Sequence, residues 1–221
     1  MYGRHRVRAE ELRERYPHAA EVLTLYLALA EVWEAGGGLP GVVRATVAHG
    51  PAPLARAVLT AAPPPAVRDY LARAAHRGPP GKVLAGASAR CPGCGGLPQL
   101  SFRAASEDPL VSGRRMLQCA GCSAGWAFSA TACPSCEDPK RVVYGEARAG
   151  PRVGRHAPDE ATLFPHLRVE GCENCRRYLI DVDLGRDPRA VPEVDELAAL
   201  PLGLYAAERG LTKITPNLMG F

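Results

Sequence analysis

The chain has none of the short motifs that mark phosphate binding or the common hydrolase chemistries. A Gly-rich phosphate loop, a Gly-x-Ser-x-Gly elbow and a His-Glu-x-x-His helix are all missing from its 221 residues. No apolar run approaches the ~20 residues that a membrane-crossing helix needs. The sequence therefore gives no support for nucleotide hydrolysis, esterase or zinc-protease chemistry, and it predicts no membrane insertion.

Cysteine is absent outside four Cys-x-x-Cys pairs. A turn of this kind can hold two thiolates at metal-ligand distance, so two turns complete a tetrahedral four-sulfur site. Four turns predict two metal ions per chain, with zinc as the first choice and iron as the alternative, because both fit tetrahedral sulfur. The eight predicted ligands are Cys91, Cys94, Cys119, Cys122, Cys133, Cys136, Cys172 and Cys175.

The spacing of the pairs favours one way of combining them. There are 24 residues between the first and second pairs, 10 between the second and third, and 35 between the third and fourth. A metal ribbon needs a hairpin of about 15–25 residues between its two turns. This favours a first site from the first two pairs and a second site from the last two. An interleaved combination of first with third and second with fourth stays open.

Two other uses of paired cysteines fit the sequence less well. Disulfides need an oxidising compartment, but the apolar run at 22–30 follows several glutamates and precedes Glu31 and Glu34, as in an amphipathic helix rather than a leader. A redox dithiol usually stands alone at the start of a helix in a βαβ unit, and no such pattern is present. We therefore predict structural metal sites.

The half of the chain that carries the cysteines has no excess of positive charge. Residues 1–90 have 12 Lys/Arg and 7 Asp/Glu, whereas residues 91–221 have 15 and 16. Zinc ribbons that bind nucleic acid usually present a basic hairpin. Arg114, Arg115, Arg152 and Arg155 are the candidate contacts for that alternative function, and the charge balance makes nucleic acid an unlikely partner.

The hydrophobic pattern changes near residue 85. Val22 to Trp33 follows helical spacing, and residues 53–62 and 65–77 suggest two further helices, while 41–48 suits either a helix or a strand. Short strands dominate 91–185, the clearest being 178–184, and helix returns at 193–209. The sequence predicts an α+β chain in four parts: a helical domain at 1–84, a first ribbon at 85–130, a second at 131–190, and a helix with an apolar tail at 191–221.

Other polar residues give weaker signals. Asp181 and Asp183 share one face of the clearest strand, which suggests a polar strand face rather than a catalytic pair. His156 and His166 are more simply explained as exposed or hydrogen-bonded side chains than as ligands. Gly95 suits the left-handed turn that follows a metal knuckle, and Arg176 and Arg177 are placed where they could offset the charge of the second site.

The motifs around the cysteines resemble those of the FdhE family of formate dehydrogenase accessory proteins. The resemblance covers residues 85–221, whereas the helical part is similar only in character. Beyond the cysteines it includes Asp181–Asp187, Asp195–Leu197 and Gly210–Phe221. The motifs that carry it are Cys91-Pro-Gly-Cys-Gly95, Leu117-Gln-Cys-Ala-Gly-Cys122 with Trp126, Cys133-Pro-Ser-Cys136, and Val169-Glu-Gly-Cys-Glu-Asn-Cys175 with Tyr178-Leu179.

The resemblance implies a helical domain followed by two rubredoxin-like ribbons, with all eight cysteines as metal ligands. It also implies a cytoplasmic, non-catalytic maturation factor that binds the catalytic subunit of formate dehydrogenase. No catalytic residue carries over, and the oligomeric state stays open. A small redox enzyme that uses exchangeable metal thiolates is a further alternative.

Overall fold

The computed structural model describes residues 1–104, 113–139 and 163–217, and the backbone of residues 141–144. Helices form the amino-terminal part, strands carry the cysteines, and two short helices lie near the end. This confirms the predicted α+β class of a helical part, two ribbon modules and a carboxy-terminal helix. No helix among the described residues is long and apolar enough to cross a membrane.

Five helices make the amino-terminal part. The second buries Val22, Leu25 and Leu29, as the helical spacing predicted, and the ambiguous stretch at 41–48 is helical because its buried face packs against that helix. A short 3-10 turn, Pro17–Ala19, precedes the second helix. The helices are α1 (Gly3–Arg15), α2 (Ala20–Glu34), α3 (Gly38–His49), α4 (Ala52–Val58) and α5 (Pro65–Ala75).

Within the described residues, eight strands form one sheet in the order β1-β4-β3-β2-β7-β6-β5, with β8 beside β7. The two hairpins predicted from the cysteine spacing are the antiparallel pairs β2–β3 and β5–β6. The strands are β1 (Val83–Leu84), β2 (Pro98–Arg103), β3 (Arg115–Cys119), β4 (Gly125–Ala127), β5 (Arg141–Tyr144), β6 (Leu167–Cys172), β7 (Arg177–Asp183) and β8 (Thr212–Lys213).

The two ribbons meet at a parallel strand pair. Ser101, Phe102 and Arg103 of β2 lie opposite Asp181, Val182 and Asp183 of β7. Each ribbon contributes three strands, and this pair joins them into a continuous sheet. The relative position of the two metal groups is therefore set by backbone hydrogen bonds between the ribbons.

Two short helices, α6 (Pro192–Ala198) and α7 (Leu200–Glu208), cover the sheet near the end of the chain. The interruption predicted at Pro201 falls at Ala199, and Pro201 lies in the first turn of α7, where its missing N–H costs nothing. The largest hydrophobic core lies where α1, α2 and α6 pack on β6 and β7. The helices and the second ribbon thus share one core.

Candidate metal centres

All four Cys-x-x-Cys turns have the same backbone shape. The residue after the second cysteine is left-handed in each turn, and its N–H donates to the carbonyl of the first cysteine at 2.8–3.2 Å. Only one of the four is a glycine, the residue for which this conformation carries no steric cost. The φ values are 72° at Gly95, 58° at Ser123, 61° at Glu137 and 57° at Arg176.

The turns bring the sulfurs together in two groups of four, and within each group the atoms lie within 4.8 Å of one another. The grouping joins the first pair with the second and the third with the fourth, not the interleaved order. Sγ–Sγ distances are 3.4–3.7 Å in the first group, from Cys91 to Cys122 and from Cys94 to Cys119 and Cys122. In the second they are 3.7 Å from Cys133 to Cys175 and 3.6 Å from Cys136 to Cys172.

These distances fit a metal tetrahedron and not disulfides. A tetrahedron with a zinc–sulfur bond of ~2.3 Å has sulfur–sulfur edges of about 3.8 Å, whereas a disulfide bond is about 2.05 Å long. All eight cysteines are free thiols in the structure. Each group can therefore hold one tetrahedral ion, and four protein ligands would leave it no open position for a substrate.

Burial disfavours the thiolate form of three of the cysteines, whereas hydrogen bonds lower the pKa of Cys94. Burial raises the pKa of the Cys119 and Cys122 thiols and raises that of Cys133 to about 12. Backbone N–H groups two residues on donate to Cys91, Cys119 and Cys133 Sγ at 3.3–3.4 Å. Such donors stabilise metal-bound sulfur but do not replace the ion, since four thiolates so close together repel one another.

The first group is tied to the helical part through its second turn. A Cβ placed on Gly78 would lie 2.7 Å from the Cys122 carbonyl oxygen, so the chain leaving α5 passes directly over this turn. Gln118, next to Cys119, donates to the buried Glu193 of α6 at 2.5 Å. A change in the structure of the first group is therefore expected to alter its contacts with the helical part.

The arginines after the fourth turn are hydrogen-bonded to backbone carbonyls, and their role as counter-charges stays a prediction. Arg176 donates to the Arg209 carbonyl, and Arg177 donates to the Lys213 carbonyl at 3.4 Å. Both contacts attach the turn to the segment that follows α7. Asn174, within the turn, donates to the Asp138 carboxylate at 3.1 Å and so links the two turns of the second group.

Asp181 lies in a buried cluster of charges at the junction of the ribbons, so the prediction of a simple polar strand face was wrong for this residue. Its carboxylate is fully buried and accepts from Ser101 at 2.8 Å and from Arg103 and Arg168 at 2.6–3.0 Å. These arginines hold its pKa below the usual range despite its burial. Glu170 adds a second buried carboxylate.

His166 belongs to a second charge cluster, which joins α1 to α6. His166 Nε2 lies 2.7 Å from an Asp195 oxygen, and Asp187 lies close by. The Arg8 guanidinium contacts both carboxylates, that of Asp195 at 2.5 Å and that of Asp187 at 2.8 Å. Because the guanidinium already occupies the position between the two acids, this cluster is an internal ion pair rather than a site for a metal cation.

The arginines considered for nucleic-acid contact are divided by the structure. Arg114 is exposed, but the Arg115 side chain is fully buried and pairs with Glu170 at 2.7 Å. Arg115 therefore forms an ion pair inside the protein and is not available to contact nucleic acid. Arg152, Arg155 and His156 lie outside the described residues, as does the tail from Leu218.

A cleft lies between the helices and the first ribbon, where a groove that holds a client was one hypothesis from the sequence. It spans about 560 Å³ including its open mouth, and the metal-ligand candidate Cys119 forms part of its wall. Tyr26, Trp33 and Tyr70 line one side. Its residues come from α2, α5, β2, β3, α6 and the segment after β8, so no local motif could have revealed it.

Comparison with known proteins gives one family. Residues 131–219 match the model of the family described as "FdhE, C-terminal domain". A protein named "Protein FdhE homolog" from Aquifex aeolicus is 29% identical over 136 residues, which are 59% of this chain and 41% of that protein. The homolog from Pseudomonas aeruginosa is 31% identical over 129 residues, 58% of this chain and 38% of that protein.

These matches span about two fifths of the length of the relatives. The crystal structure of the FdhE protein from Pseudomonas aeruginosa is similar over 99% of this chain and 95% of that chain, with a TM-score of 0.64 and 20% sequence identity. At this identity the likeness shows that the fold is shared, including the helical part that the sequence matches leave uncovered.

Proposed function

We propose that this chain, which belongs to the FdhE family, is an accessory protein that binds the catalytic subunit of formate dehydrogenase and is needed for its maturation. In this proposal the protein acts in the cytoplasm and catalyses no reaction itself. The observation that carries the proposal is the family match over residues 131–219, together with a fold shared along nearly the whole chain.

The eight cysteines hold two metal ions in this proposal. The sulfur–sulfur distances and the four left-handed turns support it, because both are the geometry of tetrahedral four-sulfur sites. A closed site of this kind stabilises a fold rather than activating a substrate. The ions would keep the short strands in place, since ribbons of this size bury little apolar surface on their own.

The first test is affinity capture of the tagged protein from its native host, grown with formate and limited oxygen. Mass spectrometry is expected to find the catalytic subunit of formate dehydrogenase among the captured proteins. A nucleic acid or an unrelated complex in its place, when that subunit is expressed, would contradict the accessory role.

A second test separates the metal from the client. The double variant Cys91→Ser/Cys94→Ser is expected to lose the first ion and the capture of the client together. Pro92→Ala is the matched control, because it alters the same turn and leaves both thiols in place. If the cysteine variant binds one ion and still matures the client normally, the first ribbon has no part in client binding.

A further inference from the structure

The cleft between the helices and the first ribbon contains an arginine whose charge is only partly balanced. Arg73 of α5 lines the cleft and donates to the Pro216 carbonyl at 3.3 Å, and it forms no ion pair within the part of the chain that the structure describes. The other charges of the cleft are matched. Glu193 pairs with Arg77, and Glu196 pairs with Lys213.

The walls of the cleft contain more unused donors than acceptors. Among the described residues, Arg77 Nε and Gln99 Nε2 are buried donors without a hydrogen-bond partner, and Gln118 Oε1 is a buried acceptor without one. The orientation of Gln118 is fixed, because its amide nitrogen donates to Glu193. Buried donors without acceptors favour a ligand that brings acceptor oxygens, as an anion does.

Burial disfavours the Arg73 cation in the absence of an anion. Desolvation lowers the pKa of its guanidinium, and Asp69, one turn earlier on α5, offsets this only in part. Arg77 shows the contrast, because it is more deeply buried than Arg73 and yet Glu193 outweighs that burial and raises its pKa. An anion in the cleft would stabilise the Arg73 cation, as Glu193 stabilises the Arg77 cation.

The narrowness of the cleft restricts the anion. Although the cleft spans about 560 Å³ with its mouth, its cavity volume is only about 50 Å³. That room is sufficient for a few water molecules or one group of three or four heavy atoms. A carboxylate has this size, and its two oxygens match the fork of a guanidinium. The aromatic side chains beside it would cover a short apolar stem.

We propose that this cleft is a binding site for a carboxylate, with Arg73 as its ion-pair partner and Trp33 and Tyr70 against the carbon next to it. The carboxylate comes either from a small organic acid or from a polypeptide, as a side chain or a chain end. The inference goes beyond the accessory role and holds whether or not formate dehydrogenase is the client.

The test uses the purified, metal-loaded full chain labelled with ¹⁵N-tryptophan, whose two indole N–H signals come from Trp33 and Trp126. Trp33 donates to the Ala74 carbonyl at 2.8 Å, beside Arg73, whereas Trp126 is buried in the first ribbon and donates to the Ser88 carbonyl at 2.7 Å. Trp33→Phe assigns the signals. The probes are sodium propionate and propionamide, at constant ionic strength and up to about 50 mM, which would saturate a site with a millimolar Kd.

Propionate is expected to move the Trp33 signal to saturation and propionamide to leave it in place, with the Trp126 signal constant. Arg73→Gln should weaken propionate binding at least about tenfold, as loss of a charge-assisted pair implies. Arg68→Gln, at an exposed position of the same helix, should leave it unchanged. An unmoved Trp126 signal in Arg73→Gln shows that the variant is folded.

Acetyl-trialanine with a free carboxyl end, compared with its amide, distinguishes the two sources. If the free acid binds more tightly than propionate, the site takes a polypeptide carboxylate; if it binds equally or less tightly, the site takes a small acid. Three results would overturn the proposal: no saturable shift with either acid, equal shifts with acid and amide, or undiminished binding by Arg73→Gln.

Discussion

Asp181→Asn tests whether the buried charges at the ribbon junction hold the sheet together. The carboxylate of Asp181 is fully buried and bonded to two arginines, whose side chains are 11% and 26% exposed. The asparagine keeps the shape but removes the charge, and it places an amide among the donors of Arg103 and Arg168. Glu170 alone then faces both cations.

The size of the effect follows from this burial. Removing one partner of a buried ion pair costs about 3–5 kcal/mol. The lower end applies here, because Arg168 can regain some contact with water. About 3 kcal/mol in a chain of 221 residues lowers the Tm by roughly 6–12 °C. The metal content should not change, since no cysteine is touched.

Asp183→Asn is the matched control on the same strand. Its carboxylate is 25% exposed and lies 3.9 Å from an Arg186 side chain that is 56% exposed, a surface pair that contributes between zero and about 1 kcal/mol. Thermal unfolding of the two variants, followed by circular dichroism, should differ by at least about 5 °C. Equal and small losses of Tm would refute the idea that the junction depends on buried charge.

Three further predictions follow from the turns and the ion pairs. Ser123→Gly should raise the Tm by about 2–4 °C, because glycine adopts the left-handed conformation without the steric strain of a side chain. The change also removes a buried hydroxyl that has no hydrogen-bond partner, and a lower Tm would contradict the reasoning. Cys133→Ser/Cys136→Ser should lose one of the two metal ions proposed for the natural chain. Elemental analysis measures this, with Ser135→Ala as the control, and an unchanged metal content would be the contrary result. Arg8 and His166 hold the pKa of Asp195 below its usual value, so the stability contributed by its charge is complete above about pH 4 and is lost as the pH falls through the lower folded pKa. The difference in unfolding free energy between the natural chain and Asp195→Asn should therefore shrink from pH 7 to pH 3, and a constant difference would show that the charge of Asp195 is not responsible.

The local parts of the fold could be predicted from the sequence. A Cys-x-x-Cys turn is set by four or five consecutive residues, so the left-handed turn at Gly95 was predictable from the sequence alone. The stripe at 22–33 was visible because the burial of α2 follows helical spacing. Helix α1 was missed, since it buries only Arg8, Ala9 and Leu12 and therefore shows no apolar stripe.

The parts that depend on distant residues could not be predicted. Nothing in β2 or β7 marks them as parallel neighbours, because each alone would fit an edge strand. The alternating pattern around Asp181 predicts a solvated strand face. Its carboxylate can be buried because Arg103 of the other ribbon pairs with it. The cleft has the same origin, because Arg73 and Gln99 approach one another only after the helices pack on the first ribbon.

Because β2 and β7 are far apart in the sequence, β2 is synthesised well before the strand that pairs with it. Ser101 and its partner Asp181 are 80 residues apart, so at 5–20 residues per second a ribosome needs about 4–16 s to deliver the second after the first. Through that interval β2 presents an open backbone edge, which other nascent chains could pair with. The arginine at its end, Arg103, gives that edge a charge that discourages such pairing until β7 arrives.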